Sequence, residues 1–194
     1  MARILAFAGS ARRDSLNKKL VRIAAEAARK AGGEVTLIDL DDYPMPVYHG
    51  DLESAQGMPE NGMKLRALFL AHDALLIASP ENNGSVSALL KNTIDWLSRS
   101  IGDGKGANSG LAPYRGKTAA LLAASPGGFG GVLGLSHLRP ILSKLGVTVL
   151  AAQVNVARAD EAFDAGGKFR DEHSHDHVRR LAAELARAAD RLKG

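Results

Sequence analysis

The chain has no cysteine among its 194 residues. That absence excludes disulfides, thiol catalysis and cysteine-held iron–sulfur clusters, and nothing in the composition points to secretion. Aromatic residues are scarce, at 5% with a single tryptophan, and the net charge is only +4 with the basic residues spread out. A nucleic-acid surface needs clustered bases interleaved with stacking rings, so none is expected. No apolar run approaches the length that spans a bilayer, so no membrane association is expected. The first apolar run is interrupted by Gly9 through Asp14, too early for a signal peptide, and a cytoplasmic location is expected. What remains is the composition of a globular protein, 45% hydrophobic and 24% charged. Its mild basic balance suits an anionic ligand. The length fits one domain over residues 1–194.

Strand and helix patterns alternate from end to end. Apolar runs predict strands at 3–8, 35–38, 74–78, 118–124 and 147–150. Helical periodicity predicts helices at about 15–31, 60–71, 85–98, 131–144 and 173–192. Leu20, Ile23, Ala24, Ala27 and Ala31 share a face of the first. Val178, Leu181, Leu185, Ala188 and Leu192 share a face of the last. A long connection runs from Asp41 to about Pro59, and a glycine-rich loop covers 102–116. Near-continuous apolar strands separated by helices imply an α/β fold. The expectation is a flavodoxin-like, doubly wound, five-stranded parallel sheet with helices on both faces. Ligands in such sheets bind at the carboxyl ends of strands beside the switch point. The first, third and fourth strands should therefore lead into the chemistry.

The sequence is unusual in those three places. After the first strand comes Gly9-Ser10-Ala11-Arg12-Arg13-Asp14-Ser15-Leu16-Asn17. A small-residue turn opening a helix aims free N–H groups and a positive dipole end at a phosphate. Ser10, Ser15 and Asn17 add neutral donors, and Arg12 adds a charged fork. An ordinary polar helix start capped by Ser15 explains the same stretch about as well. After the third strand comes Ser79-Pro80-Glu81-Asn82-Asn83-Gly84-Ser85. After the fourth comes Ser125-Pro126-Gly127-Gly128-Phe129-Gly130-Gly131. Small residues let main-chain N–H groups approach a flat or charged ligand, although prolines and glycines also mark plain turns.

Together these residues carry a family resemblance. The chain resembles the NAD(P)H-dependent FMN reductases of the flavodoxin-like superfamily, including the quinone and chromate reductase branch. The first loop matches the family's GSxRxxSxNxxL pattern at Gly9, Ser10, Arg12, Ser15, Asn17 and Leu20. The second matches its P-E-x-N-G-S pattern, followed by Leu89-Leu90-Lys91-Asn92 and Asp95-Trp96. The third is similar to its S-x-G-G-x-x-G loop. The likeness runs from Arg3 to about Asn155. It implies bound FMN, with NADPH or NADH as electron donor and a small-molecule acceptor. Quinones, free flavin, azo or nitro compounds and oxidised metal ions all qualify. It implies that Ser10, Arg12, Ser15 and Asn17, with Leu16 beside them, hold the phosphate. Pro80, Glu81, Asn82, Asn83 and Gly84 would lie along the ring system, mostly through main chain. Ser125, Pro126, Gly127 and Gly128 would close its other side. The family commonly has tyrosine after the Pro-Glu pair, where this chain has Asn82. The departure removes an aromatic contact and leaves the main-chain contacts. Asn82 and Asn83 also tolerate a left-handed turn. The flavin would carry the chemistry by a ping-pong route, so no side chain is assigned as catalytic. A homodimer or homotetramer is implied.

Other signals are weaker. Gly116-Lys117-Thr118 lacks the P-loop's first glycine, since Leu111 stands there, and it precedes a strand. No GxGxxG fingerprint is present. His173, His175 and His177 read as exposed residues at a helix start rather than metal ligands, and Lys18 and Lys19 as a solvated face. Tyr43, Met45 and Tyr48 could cover the flavin edge or meet a second subunit. The helix bearing Leu89, Leu90, Ile94, Trp96 and Leu97 is apolar on more than one face and could pack a dimer. Arg99, Arg115 and Arg139 could favour NADPH through its extra phosphate. The alternative functions are an FMN-binding electron carrier and a redox-sensing regulatory module; carriers are usually acidic, and this chain is basic.

Overall fold

The structure is a computed structural model in which residues 1–192 are described. In chain order its elements are β1 (Arg3–Ala8), α1 (Leu16–Lys30), β2 (Glu34–Leu37), α2 (Gly50–Gln56), α3 (Glu60–Ala71), β3 (Ala74–Ala78), β4 (Glu81–Asn82), β5 (Ser85–Val86), α4 (Ala88–Leu97), β6 (Thr118–Ala124), α5 (Val132–Lys144), β7 (Thr148–Val156), α6 (Ala159–Ala162) and α7 (Glu172–Leu192). Five strands form one parallel sheet in the order β2-β1-β3-β6-β7. The expected α/β flavodoxin-like architecture is the one observed. Among the described residues no helix is long and apolar enough to cross a membrane.

Successive strand residues point to opposite faces, and each face has its own core. Ile4, Ala6, Ala8, Leu76 and Leu122 pack under α1 and α7. Leu5, Phe7, Leu75, Ile77 and Leu121 pack under α3, α4 and α5. Alanines at 24, 25 and 28 of α1 and 182 and 186 of α7 let the first pair of helices lie close together. β1, β3 and β6 are buried on both faces, which is why their sequences are apolar without alternation.

Several expectations need correction. The last strand runs to Val156, six residues beyond the predicted end at 150. It is an edge strand in which half-buried Gln153 and Asn155 alternate with buried Val154 and Val156, so its apolar run breaks off before the strand ends. The predicted helix start at 85 belongs to β5, which pairs with β4 as a hairpin, and α4 begins at Ala88. On α7 the buried stripe is Val178, Leu181, Ala182, Leu185, Ala186 and Ala189, whereas Leu192 is exposed and Ala188 only half-buried. On α1, Ala31 is exposed and Ile23 half-buried, while Val21 and Ala28 are inside.

The long connection after β2 is an ordered strap. It holds α2, which buries no residue and so leaves no periodic signal. Its anchor is Tyr48, whose ring meets Trp96 edge-on at 5.1 Å and whose hydroxyl donates to Glu53 at 2.7 Å. Arg99 Nε donates to both Glu53 oxygens at 2.9 and 3.0 Å. Trp96 Nε1 and Asn92 Nδ2 donate to the Pro46 carbonyl at 2.8 and 3.0 Å. The second apolar face of α4 is thus covered by the strap within the same chain. Tyr43 and Met45 likewise pack on the core beneath it. The loop after α4 is organised by Arg66, which is buried and donates to the carbonyls of Leu97, Arg99, Ala107 and Ser109 at 3.0, 3.3, 2.8 and 2.6 Å.

Candidate functional site

β1, β3 and β6 are neighbours in the sheet, so the loops leaving their carboxyl ends meet at one edge. Side-chain bonds to main chain lace these loops together. In the first turn of α1, Asn17 Nδ2 donates to the Ala124 carbonyl, and Asn17 Oδ1 accepts the Ala124 N–H, both at 2.9 Å. This joins the first loop to the end of β6. Ser87, the N-cap of α4, donates to the Gly9 carbonyl at 2.5 Å and accepts the Leu90 N–H at 3.2 Å. This joins the second loop to the first. Glu81 Oε2 accepts the Gly134 N–H at 2.8 Å in the first turn of α5. This joins the second loop to the helix that follows the third. The approach is close enough that a Cβ on Gly9 would stand 2.9 Å from Leu90 Cβ.

The loops enclose a cavity of about 460 Å³. Ser10, Arg12, Ser15, Leu16, Asn17, Pro80, Glu81, Asn82, Ser125 and Pro126 line it. Asn83, Gly84, Gly127 and Gly128 are not in its wall; Asn83 lines an adjoining groove with Ser85, Lys91 and His137. The wall also holds Ser87, Ala88 and Leu89, which sequence reasoning missed. A serine two residues before an apolar helical run is an N-cap signal that could have found them.

The cavity favours an anion at one end. α1, α4 and α5 all begin here, and none has an acidic residue in its first turn. Glu81 neutralises the start of α5 and leaves the positive ends of α1 and α4 free. Ser15 caps α1 by accepting the Asn17 and Lys18 N–H groups at 3.2 and 3.4 Å, which leaves its hydroxyl hydrogen to donate. The Ser10 hydroxyl and the Arg12 guanidinium have no partner among the described residues. Asn17 lines the cavity and has a further task. Its oxygen and one N–H are committed to Ala124, so its side chain positions the loop and keeps its second N–H for a ligand. Losing it would strand two buried main-chain groups, at about 1–3 kcal/mol each. Lys18 also departs from expectation. It is buried, paired with Asp39 at 2.6 Å and 3.5 Å from the Ala11 carbonyl, and so braces the first loop from behind.

The glycines of the third loop divide into two kinds. Gly130 and Gly131 have φ of 58° and 81°, and a Cβ on either would stand within 3 Å of Ala157 N or Ala123 Cβ. The fold requires glycine there. Gly127 and Gly128 have no positive φ, and a Cβ would meet only Ser125 Oγ at 3.5 Å or nothing at all. The fold does not require glycine at those two positions. In the second loop, Asn83 and Gly84 have φ of 51° and 73° and close the two-residue β4–β5 hairpin. Unengaged donors at one end and bare main chain at the other fit the phosphate and ring system of FMN.

The arginines expected to read an extra phosphate lie elsewhere. Arg99 is bound to Glu53. Arg139 donates to the Leu150 carbonyl and to Gln153. Arg115 lines a pocket with Lys117 and Thr118, at the start of β6 and the opposite end of the sheet. His173 and His177 are exposed on α7 with their rings 4.2 Å apart.

Residues 2–161 match the family described as NADPH-dependent FMN reductase. The chain is 34% identical over 193 residues to an NAD(P)H-dependent FMN reductase of Pseudomonas aeruginosa, covering 99% of this chain and 97% of that one. It is 30% identical over 197 residues to an NADPH:quinone oxidoreductase of Arabidopsis thaliana, covering 100% and 95%. Among solved structures it resembles a flavoenzyme NAD(P)H:(acceptor) oxidoreductase from Paracoccus denitrificans. The TM-score is 0.79 at 27% identity, with 98% of each chain covered.

Proposed function

The chain belongs to the NADPH-dependent FMN reductase family, and from that premise we propose that it reduces quinones with NAD(P)H in a ping-pong sequence at the three-loop cavity. Bound FMN supplies the two-electron chemistry between nicotinamide and acceptor. The protein's part is to bind, orient and exclude. Ser10, Arg12 and the hydroxyl of Ser15 would hold its phosphate at the start of α1. Pro80 to Gly84 would contact its ring system, and Gly127 and Gly128 would let main chain come close to it. N–H groups from these two loops would offer donors to the bound group. Asn17, Ser87 and Glu81 fix the three loops before any ligand arrives, so little ordering is left for binding to accomplish. The same cavity would serve donor and acceptor in turn, which would give the ping-pong order. No side chain is needed as an acid or base.

The observation that carries this reading is the cavity's unengaged donor set beside glycines the fold does not need. Quinone as acceptor is supported by the full-length likeness to a quinone oxidoreductase. The chain is proposed to act as one domain over residues 1–194 and as a homodimer or homotetramer. The phosphate assignment is tested with Arg12→Ala. A charge-assisted bond to phosphate is worth about 1.5–3 kcal/mol, so FMN should bind about ten- to a hundredfold more weakly. Riboflavin, which lacks the phosphate, should bind as before. Equal weakening of both, or of neither, would remove Arg12 from the phosphate site.

A further inference from the structure

Phe129 stands at the tip of the third loop with 81% of its surface exposed. Single exposed apolar residues are common on proteins, but the setting of this one is specific. It lies three residues beyond Pro126, which lines the cavity. Gly127-Gly128 precede it and Gly130-Gly131 follow it. The turn that carries it is fastened to the body of the protein. Gly127 O accepts the N–H groups of Gly130 and Arg158 at 3.4 and 3.3 Å. Asn155 Nδ2 donates to Gly130 O at 3.3 Å, and Gln153 in turn donates to Asn155 at 2.9 Å. A short turn held at this many points fixes the main chain that carries the exposed ring. Leu133, 52% exposed, lies near the second loop, where a Cβ on Gly84 would stand 3.8 Å from it; both apolar side chains stand outside the cavity's own wall.

The proposed reaction needs a second flat molecule to lie against the ring system between these same loops. We propose that Phe129 is the acceptor-contacting residue: its ring packs on the planar apolar ring of a quinone at the cavity mouth and so favours flat acceptors over compact ionic ones. This inference rests on the flavin reading of the cavity.

The test uses the FMN-loaded enzyme and two acceptors, 1,4-naphthoquinone and ferricyanide, with NADPH as donor. Ferricyanide is octahedral and has no flat apolar face to stack. In Phe129→Ala, kcat/KM for the quinone should fall about tenfold, through KM. The value for ferricyanide should stay within about twofold. Phe129→Tyr should behave as the parent protein does. Titrating the oxidised enzyme with naphthoquinone in the absence of donor should give the same tenfold rise in Kd. Equal losses on both acceptors would overturn the proposal. So would weakened FMN binding, which would place the ring in the cofactor cradle, or a changed oligomeric size by light scattering, which would make it a subunit contact. A parent protein that reduces neither acceptor would overturn the flavin reading itself.

Discussion

At the scale of single residues, the third loop separates what folding needs from what a ligand needs. Gly130→Ala forces an L-residue to φ 58° with its Cβ 2.9 Å from Ala157 N. It should destabilise the protein by about 1–3 kcal/mol, read as a lowered melting temperature. Gly128→Ala meets nothing. Its melting temperature without FMN should stay unchanged while FMN affinity drops. If both variants melt alike and bind alike, the division is wrong. Much of the cavity wall was legible in the sequence, because Ser10, Arg12, Ser15, Pro80, Glu81, Ser125 and Pro126 follow apolar strands that a parallel sheet sets side by side. The task of Asn17 was not. Its partner is the main chain of Ala124, 107 positions away, and no local pattern encodes that pairing. Lys18 was misread for a similar reason, since Asp39 becomes its neighbour only when β2 docks on β1.

At the scale of elements, legibility followed burial. α3, β3 and β6 match their predicted limits because each presents an apolar run or stripe. α2 buries nothing and β7 is half-solvated, so one was missed and the other cut short. The β4–β5 hairpin did have a signal, Asn83-Gly84, which is the dipeptide that closes two-residue turns. The strap around α2 is held by polar bonds as well as by the packing of Tyr43, Met45 and Tyr48, and its ion pair makes it sensitive to acid. Burial pushes the Glu53 carboxyl up, but the Arg99 guanidinium and the Tyr48 hydroxyl outweigh it and hold the group below its ordinary value. A lowered folded value means that the stabilisation is present above the unfolded value of 4.5 and is lost as pH falls through the folded one. Arg99 is largely exposed, so the amount is about 1 kcal/mol or less. Protection from hydrogen exchange over residues 43–56, taken relative to the intrinsic rate at each pH, should therefore fall as pH drops below 4.5. Glu53→Gln should bring the weaker protection to neutral pH. Identical protection of the parent protein and the variant at pH 7 would show that the strap is held without the Glu53 carboxylate.

At the scale of the whole molecule, the parallel sheet explains why residues spread from Ser10 to Pro126 line one cavity. Strand order places the ends of β1, β3 and β6 side by side. The bonds made by Asn17, Ser87 and Glu81 then tie the three loops into one rigid rim. The alternation of apolar runs and helical stripes made this architecture readable. The lacing was not readable, because it runs between residues that only the fold brings together. The central claim is that this rim holds FMN and passes electrons from NAD(P)H to a quinone. The direct measurement is the visible absorption spectrum of the FMN-reconstituted protein, taken without oxygen, before NADPH, after NADPH and after a quinone. The account predicts oxidised-flavin bands that bleach with NADPH and return with the quinone. A protein that retains no flavin bands after reconstitution, or whose bands are indifferent to NADPH, would contradict it.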